Sequence, residues 1–181
     1  MCMKQILFLR HAKTEMNEKG RFCGIIDTNV TEEGIRQAEE MRKTFKEYHF
    51  DAIYCSPLKR TKQTLEAIFP KRKFIEEDGF TEISLGDWEG LKKEDVNQKL
   101  RKAFQQGNYT PPHGEKHEVV EARVKEAIER IFATYPDGSV ILVCTSNGIM
   151  RTIKKMYTIQ TKNIMSKNLE YFIVKKPEQQ M

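Results

Sequence analysis

Four groups of residues in this 181-residue chain have types and spacing suited to chemistry. They are Arg10-His11, Ser56 with Arg60, Glu82, and the run Thr145-Ser146-Asn147-Gly148. A neutral imidazole is nucleophilic near pH 7 and can carry a covalent intermediate. Guanidinium forks and helix N-termini hold the oxygens of a phosphoryl group. Glu82 adds a carboxyl that can give and take a proton. Taken singly, each residue has a plainer reading, such as a histidine satisfied at a strand end or a solvated loop carboxylate. Only their convergence would point to phosphoryl chemistry.

Convergence depends on the elements that carry them. Ile6–Leu9 is an apolar run without alternation, which reads as a strand buried on both faces and delivering Arg10-His11 to its carboxyl end. Ligands of open α/β sheets bind outside such ends. Phe50–Cys55 is a second apolar run, followed by Ser56-Pro57 and a helix over Leu58–Phe69 with Arg60 in its first turn. A short third strand, Lys73–Ile75, precedes the loop Glu76–Gly90 that holds Glu82. Val140–Cys144 is the clearest strand and leads into a helix over Asn147–Met156; Leu169–Val174 is the last strand.

Between these lie helical patterns at Thr31–Phe45, with Thr31 as N-cap, at Lys92–Phe104, and at Glu118–Tyr135. Gln105–Lys116, with Pro111-Pro112 and Gly114, is a loop, and Lys175–Met181 a polar, frayed tail. Strands alternating with helices imply α/β: one three-layer domain over 1–181, its sheet mostly parallel with helices on both faces.

Composition agrees with a globular chain: 39% hydrophobic, 31% charged, formal net charge +5. The lysines fall in scattered pairs, which argues for a solvated surface and against a nucleic-acid stripe. No apolar run of membrane-spanning length occurs, so no membrane partner is expected and a reducing cytoplasm is the default location. Cys2, Cys23, Cys55 and Cys144 lack metal-ligand spacing, so no metal or other cofactor is expected; Cys55 and Cys144 read as small hydrophobes in buried strands.

The blocks Leu9-Arg10-His11-Ala12-Lys13-Thr14-Glu15-Met16-Asn17, Gly20–Gly24 with Asp27 and Thr31–Gly34, Tyr54–Thr64, and Glu82 through Gly86–Gly90 resemble, in order, the signatures of the histidine phosphatase superfamily. That resemblance implies a phosphoglycerate-mutase-like fold. It implies His11 as phosphoryl acceptor, Arg10 and Arg60 as the clamp on the phosphoryl oxygens, and Glu82 as acid then base. Asn17 would add a neutral donor, and Cys23, Gly24 and Gly148 would border the phosphate. Trp88 reads as a loop anchor. The short chain resembles the compact bacterial phosphatases, including α-ribazole phosphatase, more than the longer mutases, and leaves only Gly90–Lys116 as a lid. Pro111-Pro112-His113-Gly114-Glu115 resembles a loop of those enzymes and, although altered at His113 and Lys116, would face the leaving group. The partner implied is a small phosphorylated metabolite; a homodimer is compatible with the pattern.

Two departures stand out. Ala12 replaces a glycine after His11. Asn147 stands where the family pattern has a second histidine, so a neutral N–H donor replaces one that can be charged. Asn147 therefore has three readings: an engineered change, a natural variant that works slowly or on a special substrate, or the mark of a pseudo-enzyme that binds phosphorylated ligands. With His11 and Glu82 retained, the pattern favours an impaired or specialised enzyme.

Overall fold

In the computed structural model, which describes residues 3–160 and 164–176, the described strands β1 (Gln5–Arg10), β2 (Ala52–Cys55), β3 (Ile75–Glu76), β4 (Val140–Thr145) and β5 (Tyr171–Lys175) form one sheet. Their order is β3-β2-β4-β1-β5, parallel except for β5, which runs antiparallel to β1. Cys2 lies outside the described residues. So does most of the expected tail, although Lys175 ends β5 and the Lys176 N–H donates to the Lys4 carbonyl at 3.1 Å.

The unbroken apolar runs of β1 and β4 follow from burial on both faces. Ile6, Phe8, Ile141 and Val143 point to one side, where they meet α5 (His117–Thr134) and α6 (Asn147–Met156) through Val124, Ile128, Ile149 and Ile153. Leu7, Leu9, Leu142 and Cys144 point to the other side. There α2 (Glu32–Phe45) and α3 (Lys59–Ile68) supply Ala38, Phe45, Leu65 and Ile68. Each such side chain contributes about 1.5–3 kcal/mol by leaving water, so a charge at either face would unseat β1. Cys55 and Cys144 are free and buried, as expected of small hydrophobes.

Register positions the site. Arg10 is paired with Thr145 across β1 and β4, and the His11 N–H donates to the Thr145 carbonyl at 3.0 Å. His11 therefore emerges beside the start of α6. Thr31 caps α2 by accepting from the Gly34 N–H at 3.0 Å. After β1 the chain makes a one-turn helix, α1 (Glu15–Glu18), because Thr14 and Asn17 form a reciprocal capping box. One expectation needs refining. The Lys92–Phe104 pattern splits into a 3-10 turn, Lys93–Asp95, and α4 (Gln98–Gln106). Asn97 makes the break by capping the N–H groups of Lys99 and Leu100.

Candidate active site

The carboxyl ends of β1, β2 and β4 open into a cavity of about 150 Å³. His11, Arg10, Arg60, Glu82, Asn147, Asn17, Cys23, Gly24 and Gly148 all line it. These residues singled out in the sequence thus come together, whereas Ser56, Thr145 and Ser146 do not line the cavity.

His11 is almost fully buried, and its Nδ1 lies 2.7 Å from the Ala12 carbonyl oxygen. That oxygen can only accept, so Nδ1 carries the proton and Nε2 keeps a free lone pair. Burial, followed by the charges of Arg60 and Arg10, holds the imidazole pKa well below its usual value. Burial thus favours the neutral imidazole. The Ala12 N–H donates to Thr64 Oγ1 at 2.9 Å, which fixes the backbone just after the histidine.

Arg60 is 1% exposed and held on every nitrogen. Nε donates to Ser146 Oγ at 3.2 Å, Nη1 to the Ile26 carbonyl at 3.0 Å and Cys23 Sγ at 3.3 Å, and Nη2 to the Gly24 carbonyl at 2.7 Å. Cys23 and Gly24 therefore help to fix the Arg60 guanidinium. Burial pushes the Cys23 thiol pKa up, with the Arg60 charge opposing. Arg10 donates through Nη1 to the Ser166 carbonyl, while its buried Nε has no partner. Asn17 accepts through Oδ1 from the Thr14 N–H at 3.2 Å and from Asn168 Nδ2 at 3.3 Å, which leaves its own amide N–H groups as the donors for a ligand.

Glu82 accepts from the Ile83 N–H at 2.9 Å on one oxygen and from the Gly148 N–H at 3.1 Å on the other. The start of α6, expected to hold the phosphoryl group, thus receives the carboxylate instead. A Cβ at 148 would collide with Glu82 Oε1 and come within 3.0 Å of Ile83 Cδ1, so a larger residue there must push the carboxylate aside. Asn147 is built into its surroundings. Its Oδ1 accepts from the Ser166 N–H at 2.9 Å, and its Nδ2 reaches Met165 Sδ at 3.5 Å. Ser166 is itself 2% exposed, and its hydroxyl accepts from buried Lys154 at 2.8 Å.

The Pro111–Lys116 loop does not face the leaving group, since none of its residues lines the cavity. It braces the Glu82 segment from outside. The Asp87 N–H donates to the Pro112 carbonyl at 3.0 Å and the Glu115 N–H to the Ser84 carbonyl at 2.9 Å. Arg123 ties Glu115, at 2.8 Å, to the Gly79 carbonyl, also at 2.8 Å. His113 lies on the surface against Asp87, 2.9 Å away, and that carboxylate raises its pKa. Trp88 packs on Phe22, Phe104 and Tyr109 as a loop anchor.

Sequence reasoning missed the cavity's other wall: Arg21, Lys93, Arg101, Phe104 and Gln105, with Arg151 on α6. Helical spacing carried the signal. Arg101, Phe104 and Gln105 stand at i, i+3 and i+4, and Arg151 lies four residues beyond Asn147.

Comparison with known proteins agrees with this architecture. The chain is 33% identical over 149 residues to phosphoserine phosphatase 1 of Hydrogenobacter thermophilus, covering 78% of this chain and 70% of that one. It is 28% identical over 153 residues to the adenosylcobalamin/alpha-ribazole phosphatase of Salmonella typhimurium, covering 81% and 75%. A mycobacterial glucosyl-3-phosphoglycerate phosphatase, solved with VO3, superposes with a TM-score of 0.84 at 21% identity over 93% of this chain and 91% of that one. Among the described helices, none is long and apolar enough to cross a membrane. With the family's sequence model matching residues 6–169, this chain belongs to the histidine phosphatase superfamily, branch 1.

Proposed function

We propose that the chain is a cytoplasmic phosphatase that hydrolyses a small phosphomonoester through a phosphohistidine at His11, without a metal. The tautomer and charge state of His11 support this reading most directly. Its Nδ1–H is held by the Ala12 carbonyl, so Nε2 keeps its lone pair, and His11 lines one cavity with Arg10 and Arg60. Nε2 attacks phosphorus while the bond to the leaving oxygen breaks. Arg10, Arg60 and Asn17 hold the non-bridging oxygens, where charge must be stabilised through the transfer. Glu82 protonates the departing alkoxide, then takes a proton from the water that cleaves the phosphohistidine, releasing inorganic phosphate and restoring the imidazole.

Asn147 contributes a neutral donor at most, so turnover is slower than with a charged histidine at that position. Its bonds to Ser166 and Met165 favour a residue fitted to this site. Among the described residues no group of three or more His, Cys, Asp or Glu side chains could hold a metal.

Phosphate release from p-nitrophenyl phosphate, followed long enough to register slow turnover, tests the reading. Release that is insensitive to EDTA is expected. Loss of activity in EDTA with recovery on adding a divalent ion would overturn metal independence. Vanadate binding without any release would make the chain a phospho-ligand binder.

A further inference from the structure

We propose that Lys154 is a positioning residue for the phosphoryl clamp: its buried ammonium holds the Glu170 carboxylate aside, so that Arg10 stays free for the substrate. The inference rests on the reading of Arg10 as part of that clamp and names the group that guards it.

Burial supplies the first argument. Lys154 lies on α6 outside the cavity lining and is only 2% exposed. Lysine is almost never buried so far unless its charge is paired. Here Nζ donates to Ser166 Oγ at 2.8 Å and to Glu170 Oε1 at 3.2 Å, and lies 5.4 Å over the Phe172 ring. An apolar residue of similar volume often serves a buried position as well as an ion pair does. Packing alone therefore does not call for a lysine here.

The neighbouring arginine supplies the second. Arg10 Nε is buried without a partner, and among the described residues Arg10 forms no salt bridge. Glu170 adjoins it: the Arg10 N–H donates to the Glu170 carbonyl at 3.0 Å. Burial lowers the Arg10 pKa, the Glu82 charge raises it, Arg60 lowers it further and Glu170 raises it, so the guanidinium feels the Glu170 carboxylate. That side chain keeps 37% of its surface in solvent and has room to turn. Charge-assisted bonds between guanidinium and carboxylate are among the strongest available. A pair formed there would occupy donors that the phosphoryl oxygens need. Lys154 on one oxygen, and the Lys167 N–H on the other at 2.9 Å, hold the carboxylate away.

Ser166 supplies the third. Its hydroxyl accepts from Lys154, its carbonyl accepts from Arg10 Nη1, and its N–H donates to Asn147 Oδ1 at 2.9 Å. One ammonium thus restrains Glu170 and pins the segment that fastens Arg10 and Asn147.

The test measures vanadate affinity by calorimetry, with kcat and KM for p-nitrophenyl phosphate, in the full chain. Lys154→Met should weaken vanadate binding by about tenfold, the scale of one charge-assisted hydrogen bond, and raise KM in step. Adding Glu170→Gln to Lys154→Met should restore both, because the competing carboxylate is gone. A lysine that only stabilises the fold would lower Tm, leave vanadate affinity parental in the folded protein, and gain nothing from Glu170→Gln. If Lys154→Met fails to fold, Lys154→Gln, which keeps a donor for Ser166 without the charge, carries the same expectation. Parental vanadate affinity in the folded single variant overturns the inference, as does a loss that persists in the double variant. Arg10→Ala tests the clamp separately: parental vanadate affinity in that variant removes Arg10 from the clamp, and the inference falls with it.

Discussion

The two ends of the cavity are built differently. At the strand ends, Arg60 is gripped on every nitrogen, His11 is locked in one tautomer, and Glu82 is held by two backbone N–H groups. Those groups are set before any ligand arrives, which is how preorganised electrostatic catalysis works. Under α4 and along α6, Arg101 and Arg151 keep buried nitrogens without partners, as Arg10 Nε does at the sheet edge. The contrast separates a sheet edge whose His11, Arg60 and Glu82 are fixed by the chain's own hydrogen bonds from a helical wall whose guanidinium donors are not.

The sharpest way to break the contrast is at the nucleophile. His11→Ala should abolish turnover of every ester, whatever its leaving group. Parental turnover in that variant would remove the sheet-edge account.

Gly148→Ala comes next. Its Cβ must displace Glu82 while leaving Arg10 and Arg60 in place, so kcat should fall on the order of 10²-fold, within the range of general acid–base catalysis. Vanadate affinity should change little. A variant with parental kcat would show that the close contact does not set Glu82.

Asn147→His works in the opposite direction. Histidine Nδ1 can accept from the Ser166 N–H as Oδ1 does, leaving Nε2–H as a longer-reaching donor. A transition-state donor is typically worth about 10²–10³ in rate. Because asparagine retains part of it, kcat should rise on the order of tenfold to a hundredfold. A flat kcat in a folded, vanadate-binding variant would mean that asparagine is not the limiting feature.

The smallest effect is on stability. Burial lowers the His11 pKa in the folded chain, so below about pH 6.5 the unfolded chain binds the extra proton first. Folding stability attributable to this group is complete above that pH. It drains as pH falls toward the lowered folded value, by at most about 1.4 kcal/mol per pH unit. Tm should therefore drop more steeply between pH 7 and pH 5 in the parent than in His11→Gln. Parallel curves would contradict a buried neutral imidazole.

The sequence made one end legible and not the other, for a physical reason. Arg10-His11 and Asn147-Gly148 directly follow uninterrupted apolar strands, so their place at the sheet edge follows from local pattern. Arg60 sits one turn past a strand, and Glu82 lies in a loop whose neighbours match a familiar block. Arg101 and Arg151 stand mid-helix among other charged residues. Helical spacing puts them on the faces of Phe104 and Asn147 but does not separate a covered guanidinium from one in solvent; the docking of α4 through Phe104 does. The Pro111–Lys116 loop misled for a related reason. Its resemblance to a loop of the compact phosphatases suggested a ligand loop, but Arg123, on the helix that follows, and Glu115 tie it to the Gly79 carbonyl and turn it into a brace for Glu82. Ser166 and Asn168, which fasten Arg10, Asn147 and Asn17, follow no motif and were invisible until β5 was placed.

The most direct measurement is rapid quench of a single turnover into alkali, followed by peptide mapping of the protein. A phosphoryl group on the peptide containing His11, stable to base and lost in acid, should appear before inorganic phosphate is released and be missing in His11→Ala. Phosphate released at the parental rate with no phosphorylated peptide at any time would contradict the account.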